Sequence, residues 1–191
     1  GDYSTINDAL AALSAYYPLY VSGGFTAEIS LLSGFEMAEQ VLVYGIDLSW
    51  ITITSVDEEV TITRSALTTD FYARYPAFGV SRGRLPVIGA LFSMDTSGTA
   101  TDRDGVFLAD GSVAVISTGC GVKNAGGTGL NCYRISRALA DGANFSGGDY
   151  CIACSRGSHV TACEAVLTGA TTRGIYANEG GYIVARSANC Q

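Results

Sequence analysis

The chain has 191 residues, with 11 Lys plus Arg against 18 Asp plus Glu, a net charge of −7. It is 48% apolar and only 15% charged, with 24 Gly against 3 Pro, which fits one folded domain of short strands and tight turns and excludes a disordered chain. The acidic balance argues against a nucleic-acid groove, which needs clustered cations. The longest apolar stretch, Leu85 to Met94, is broken by Pro86 and Gly89, short of the ~18 residues of a membrane span. No membrane insertion is expected. The chain opens without a basic segment, so no signal peptide is expected.

Tyr3 to Tyr16 reads as a helix, with Ile6, Ala9, Leu10 and Leu13 on one face. Thr5 and Asp8 make a capping box at its start, and Pro18 stops it. Such a helix suits a cap over the open end of a β structure. Strands are predicted over Glu28 to Leu31, Gln40 to Val43, Ile51 to Ile53 and Val60 to Ile62, where β-branched and polar residues alternate. Gly34, Gly45 and Asp57-Glu58-Glu59 mark the turns between them.

Residues 66–86 break the pattern, crowding Phe71, Tyr72, Tyr75 and Phe78 ahead of Arg82 and Arg84. An inserted loop is expected. It serves either as a binding element, with rings for sugars and guanidiniums for acids, or as packing on the wall of the fold or on a neighbouring subunit. Tyr72, Tyr75, Arg82 and Arg84 are the candidate binding residues. Asp95, Asp102 and Asp104 cluster just beyond it, and Asp102 and Asp104 are the candidate acids if the chain cleaves a glycan. Polar turn residues are the better reading of that cluster, and no metal site is expected, because further calcium ligands at the required spacing are missing.

From residue 105 the chain repeats. Gly105-Val-Phe-Leu-Ala-Asp-Gly111 aligns with Gly129-Leu-Asn-Cys-Tyr-Arg-Ile135, Cys151-Ile-Ala-Cys-Ser-Arg-Gly157 and Gly174-Ile-Tyr-Ala-Asn-Glu-Gly180, at offsets of 24, 22 and 23 residues. A period near 23 with Gly at the bends predicts a solenoid of β coils, each ~4.8 Å above the last. Equivalent residues then stack in columns. Val106, Leu130, Ile152 and Ile175 face inward, as do Leu108, Cys132, Cys154 and Ala177, and a third column holds Ala114, Ala138, Val160 and Ile183. Phe107, Tyr133 and Tyr176 face outward, toward sugar or a subunit interface. Asp110, Arg134, Arg156 and Glu179 form an outward column that reads as a charge ladder in preference to a sugar-binding stripe.

Six cysteines fall at positions 120, 132, 151, 154, 163 and 190. The Cys151-x-x-Cys154 spacing is compatible with zinc or redox chemistry, but there is one His, His159, and no second close pair. Buried free thiols packed like small apolar residues are expected for all six.

The opening segment, Gly1 through Leu10, resembles that of the pectin-lyase-like right-handed parallel β-helices. The last repeat, Gly174 to Asn189, is similar to the β-helical parts of phage tail fibres and tailspikes. The resemblance implies an all-β, right-handed, single-stranded parallel β-helix over 1–191. Its expected parts are a capping helix over 1–20, first coils over 21–65, the inserted loop over 66–86 and repeated coils over 87–191. It also implies a homotrimeric adhesin on the virion, assembled in the bacterial cytoplasm and binding host cell-surface polysaccharide without a cofactor. Some relatives cleave that glycan, so a tailspike hydrolase or secreted polysaccharide lyase is the alternative. The Asn-Thr-Asp and Arg-Ile-Lys motifs of polygalacturonases are absent beside Gly157-Ser158-His159, so a non-catalytic role is preferred.

Overall fold

Short runs of β-branched and apolar residues, each closed by a left-handed turn, dictate strands of three to five residues that cannot bury their inner face alone. In the computed structural model, which describes residues 2–16, 26–97 and 102–190, these strands pair only in parallel and wind into a single-stranded β-helix. Its longest sheet holds six strands, Val41–Tyr44, Phe78–Ser81, Val106–Ala109, Thr128–Cys132, Tyr150–Cys154 and Arg173–Ala177, one from each coil. The registers stack Val41, Phe78, Val106, Leu130, Ile152 and Ile175 in one interior column. Val43, Val80, Leu108, Cys132, Cys154 and Ala177 stack in the next, which is buried as far as Cys154 and exposed at Ala177, where no further coil covers it among the described residues. The third column is Ala114, Ala138, Val160 and Ile183, as the repeat alignment predicts.

The helix is Ile6–Ser14, shorter than expected, with the Thr5 hydroxyl accepting from the Asp8 N–H at 3.0 Å. It buries Ile6, Ala9 and Leu10 against the first coils. Its start is also pinned by Glu39, whose carboxylate accepts from the Ile6 and Asn7 backbone N–H groups. Pro18 and residues 21–25, expected to end the helix and begin the first coil, lie outside the described residues.

Two sequence details keep the coils in close contact. At one corner Gly105, Gly129, Cys151 and Gly174 stack, and a Cβ on Gly105 would sit 2.4 Å from the Gly129 carbonyl oxygen. At another, the buried residues Ser112, Ser136 and Ser158 form a ladder. The Ser112 N–H donates to Ser136 Oγ (3.2 Å), and the Ser136 N–H donates to Ser158 Oγ (3.1 Å). Just ahead of this ladder Asp110, Arg134, Arg156 and Glu179 all adopt positive φ, near 50°.

Two sequence expectations need correcting. Phe78–Ser81 is a strand of the long sheet and Arg84 bridges Asp47 and Val113, so the excursion from the coil covers residues 63–77 rather than 66–86. The crowding of aromatic residues hid the alternation that turns Phe78 and Val80 inward. All six cysteines are free, yet only Cys132, Cys151 and Cys154 are buried. Cys120 and Cys163 are half-buried beside turns, and Cys190 is exposed in the last coil.

Candidate functional site

The outer face of the six-stranded sheet carries a groove of about 360 Å³. Its floor is the column Phe107, Asn131, Ala153 and Tyr176. Phe107 and Tyr176 stand three strand spacings apart, roughly 14 Å, and the smaller Asn131 and Ala153 leave a depression between them. Thr128 and Tyr150 form one wall, while Tyr133, Ser155 and Asn178 form the other. Tyr72 and Arg74 overhang it from the excursion.

The overhang is held by packing below and polar contacts above. Phe71 is buried against Phe107 and Ala109, with Leu42 and Tyr133 beside them. Gly79 leaves room for its neighbours, since a Cβ there would lie 2.8 Å from Leu42 and 3.1 Å from Pro76. Left-handed backbone at Tyr72 and Ala73 (φ 57° and 60°) turns the Tyr72 ring back over the sheet. That ring stacks on Phe107 at 6.1 Å and meets Tyr133 edge-on at 6.4 Å. The Tyr72 hydroxyl donates to the Asp110 carboxylate, leaving the Ser81 hydroxyl to donate to it at 2.9 Å. This phenol, helped by the Arg134 guanidinium, holds the Asp110 carboxyl below its ordinary range.

Asp104 fixes the base of the overhang. Its side chain is wholly buried and accepts from Arg74 Nε and Nη2 at 3.0 and 2.6 Å. It also accepts from the Thr128 N–H at 2.8 Å and from Asn131 Nδ2 at 3.2 Å. A carboxylate with four donors and no exposure is a structural anchor, and the reading of Asp104 as a catalytic acid is set aside. Asp102 pairs with the neighbouring Arg103 at 2.7 Å. Asp95 caps a turn, accepting from the Ser97 hydroxyl and from the Arg64 N–H, and these bonds hold its pKa low.

Guanidiniums edge the groove. Arg134 and Arg156 lie 4.9 and 4.8 Å from the Tyr133 ring centroid, and Arg173 lies 5.1 Å from that of Tyr176. Arg134 pairs with Asp110, and Arg156 with Glu179, so the outward column is two ion pairs, with the two guanidiniums neighbours at its middle. Asn178 Oδ1 is buried and accepts no hydrogen bond among the described residues.

Of the candidate binding residues, Tyr72 lines the groove. Tyr75 packs toward the core with its ring under Arg103, 4.1 Å from the centroid. Arg82 sits in the left-handed turn at the edge of the sheet, and Arg84 faces Asp47 at 3.5 Å; neither lines the groove. His159 lies on a different sheet, its ring 5.1 Å from Tyr182. Arg74, Thr128, Asn131, Tyr150, Ser155 and Asn178 were not singled out from sequence. The repeat alignment already places Asn131 and Ala153 in the outward column between Phe107 and Tyr176, and small residues between aromatic ones in that column are the signal for a groove.

The fold and site define a parallel β-helix with an aromatic groove on one outer face. No protein-family model matches the chain, and no curated protein or solved structure matches it.

Proposed function

We propose that the chain is a non-catalytic, saccharide-binding segment of a trimeric surface adhesin of the phage tail-fibre kind. The groove carries this reading. Tyr176 at one end of a shallow, extended floor and Tyr72, which covers Phe107, at the other, with amide and hydroxyl groups between them, suit the apolar faces and polar edges of sugar rings. Its length of three coil spacings, roughly 14 Å, suits a short oligosaccharide better than a single ring. Asp104 supports binding over cleavage, because its four donors commit it to holding Arg74, Thr128 and Asn131 in place. Threefold repetition of a weak site raises avidity through effective concentration.

The test is a glycan array spanning neutral, carboxylated and sulfated oligosaccharides, probed with the whole chain and with Tyr133→Ala and Tyr176→Ala. Hits that weaken at least tenfold in both variants are expected, together with a light-scattering mass near three chains. Hits indifferent to both variants, or no hits, would overturn the groove as the binding site. Shortening of any bound glycan would overturn the non-catalytic part.

A further inference from the structure

The polarity of the groove narrows what can occupy it, and the inference rests on the saccharide reading above. Asn131 has its Nδ2 committed to Asp104, which leaves its Oδ1 to meet a ligand. Asn178 Oδ1, in the wall, is buried without a donor among the described residues. In the floor, Asn131 Oδ1 therefore calls for a hydrogen-bond donor, which sugar hydroxyls supply and a carboxylate or sulfate does not.

The rim has the opposite character. Four of the chain's 11 cationic side chains, Arg74, Arg134, Arg156 and Arg173, line the groove or stand on its rings. Three are spoken for, Arg74 by Asp104, Arg134 by Asp110 and Arg156 by Glu179. Arg173 has no carboxylate within ion-pair distance among the described residues. Stacked on Tyr176, its planar guanidinium keeps an edge of N–H donors for a two-pronged bond to an anionic group. On a chain of net charge −7, an acidic glycan is repelled elsewhere and held here.

We propose that the groove binds an anionic oligosaccharide, with hydroxyls on Asn131 Oδ1 and on the groove-facing side of the Asn178 amide and the acidic group on Arg173. A carboxylate and a sulfate ester present the same chemistry to this guanidinium, and the array separates them. The probes are hexasaccharides of alginate (carboxylate), of κ-carrageenan (sulfate) and of neutral agarose, alongside the array glycans. They are titrated against the whole chain, Arg173→Gln and Asn178→Ala.

Acidic ligands are expected to bind at least tenfold tighter than neutral counterparts. Arg173→Gln should erase that gap and its salt dependence, and Asn178→Ala should weaken acidic and neutral ligands alike. Arg173 is exposed, so its substitution leaves the fold intact. Neutral-only binding would overturn this inference and leave the saccharide reading standing. Acidic binding unchanged by Arg173→Gln would overturn the role of Arg173. Absence of binding by every probe would sink both readings.

Discussion

Arg74 and Asp104, 30 residues apart, meet in a two-pronged ion pair whose carboxylate is completely buried. The pair joins the excursion to the coil that follows it, and through Thr128 and Asn131 it reaches the next coil as well. Asp104→Ala strips a partner from a guanidinium, a backbone N–H and an amide at once. Loss of one member of a buried pair costs about 3–5 kcal/mol. Urea unfolding should show a loss of that order, and Asp104→Asn, which keeps the shape, should lose less. Equal stability of Asp104→Ala and the parent would mean that the pair holds nothing.

Ile135 breaks the local rule of its turn. The equivalent positions are Gly111, Gly157 and Gly180, all at positive φ, and Ile135 also sits at φ 61° with 77% of its surface exposed. A β-branched residue there is strained, and left-handed backbone costs an ordinary L-residue roughly 1–2 kcal/mol. Since so little of its side chain is buried, Ile135→Gly should stabilise the chain by about 1 kcal/mol, less the added freedom of the unfolded glycine. A melting temperature that falls in Ile135→Gly would show that the side chain packs on something that offsets the strain.

The serine ladder makes a prediction of the opposite sign. Ser136→Ala leaves the buried Ser112 N–H without an acceptor and frees the Tyr133 carbonyl oxygen, to which the Ser136 hydroxyl donates. An orphaned buried donor costs about 1–3 kcal/mol, so thermal unfolding should shift downward even though one oxygen atom is all that is removed. An unchanged transition would mean that the ladder is dispensable.

Acid should loosen the overhang. Asp110 titrates below the usual carboxylate value of about 3.9 because the Tyr72 hydroxyl, and then Arg134, favour its charged form. A lowered folded-state pKa means that its contribution is complete above the unfolded value and drains away as pH falls through the folded one. Stability measured below about pH 4 should therefore fall less steeply in Tyr72→Phe than in the parent. Identical acid slopes would separate Asp110 from the phenol.

Thiol reactivity should rank by burial. Burial pushes the Cys151 thiol up to about 11 and raises Cys132 and Cys154 as well, so at neutral pH these three stay protonated and unreactive. A thiol reagent on the native chain should label Cys190 first and Cys120 and Cys163 more slowly, with the remaining three labelled only after denaturation. Native labelling of all six would contradict the stacked interior of Cys132 and Cys154.

The coils were readable because a solenoid places the same demand on each turn. Gly recurs at the corner, small or apolar residues recur inside, and one aligned block therefore predicts the next. The groove was only half readable for the same reason. Phe107, Tyr133 and Tyr176 stood out as outward aromatic residues, but Asn131 and Ala153 look like any small strand residues until their column is drawn. The anchoring role of Asp104 was not legible, because its partner, Arg74, lies in the one stretch with no counterpart elsewhere in the chain. Tyr75 shared that stretch with Tyr72, and nothing in local composition separates a ring lying over the sheet from one turned toward the core; Arg82 and Arg84 lie beyond it, past the strand Phe78–Ser81.

The Arg74–Asp104 joint has a mechanical consequence. Where every coil touches only its neighbours, peeling advances one turn at a time. Starting from the last coil, Tyr150–Cys154 and Arg173–Ala177 can unzip in sequence, but the strand Thr128–Cys132 is riveted through Asp104 to a segment two coils earlier in the winding. Under tension along the axis, the solenoid has a soft tail and a stiff collar, and the aromatic groove spans the seam between them.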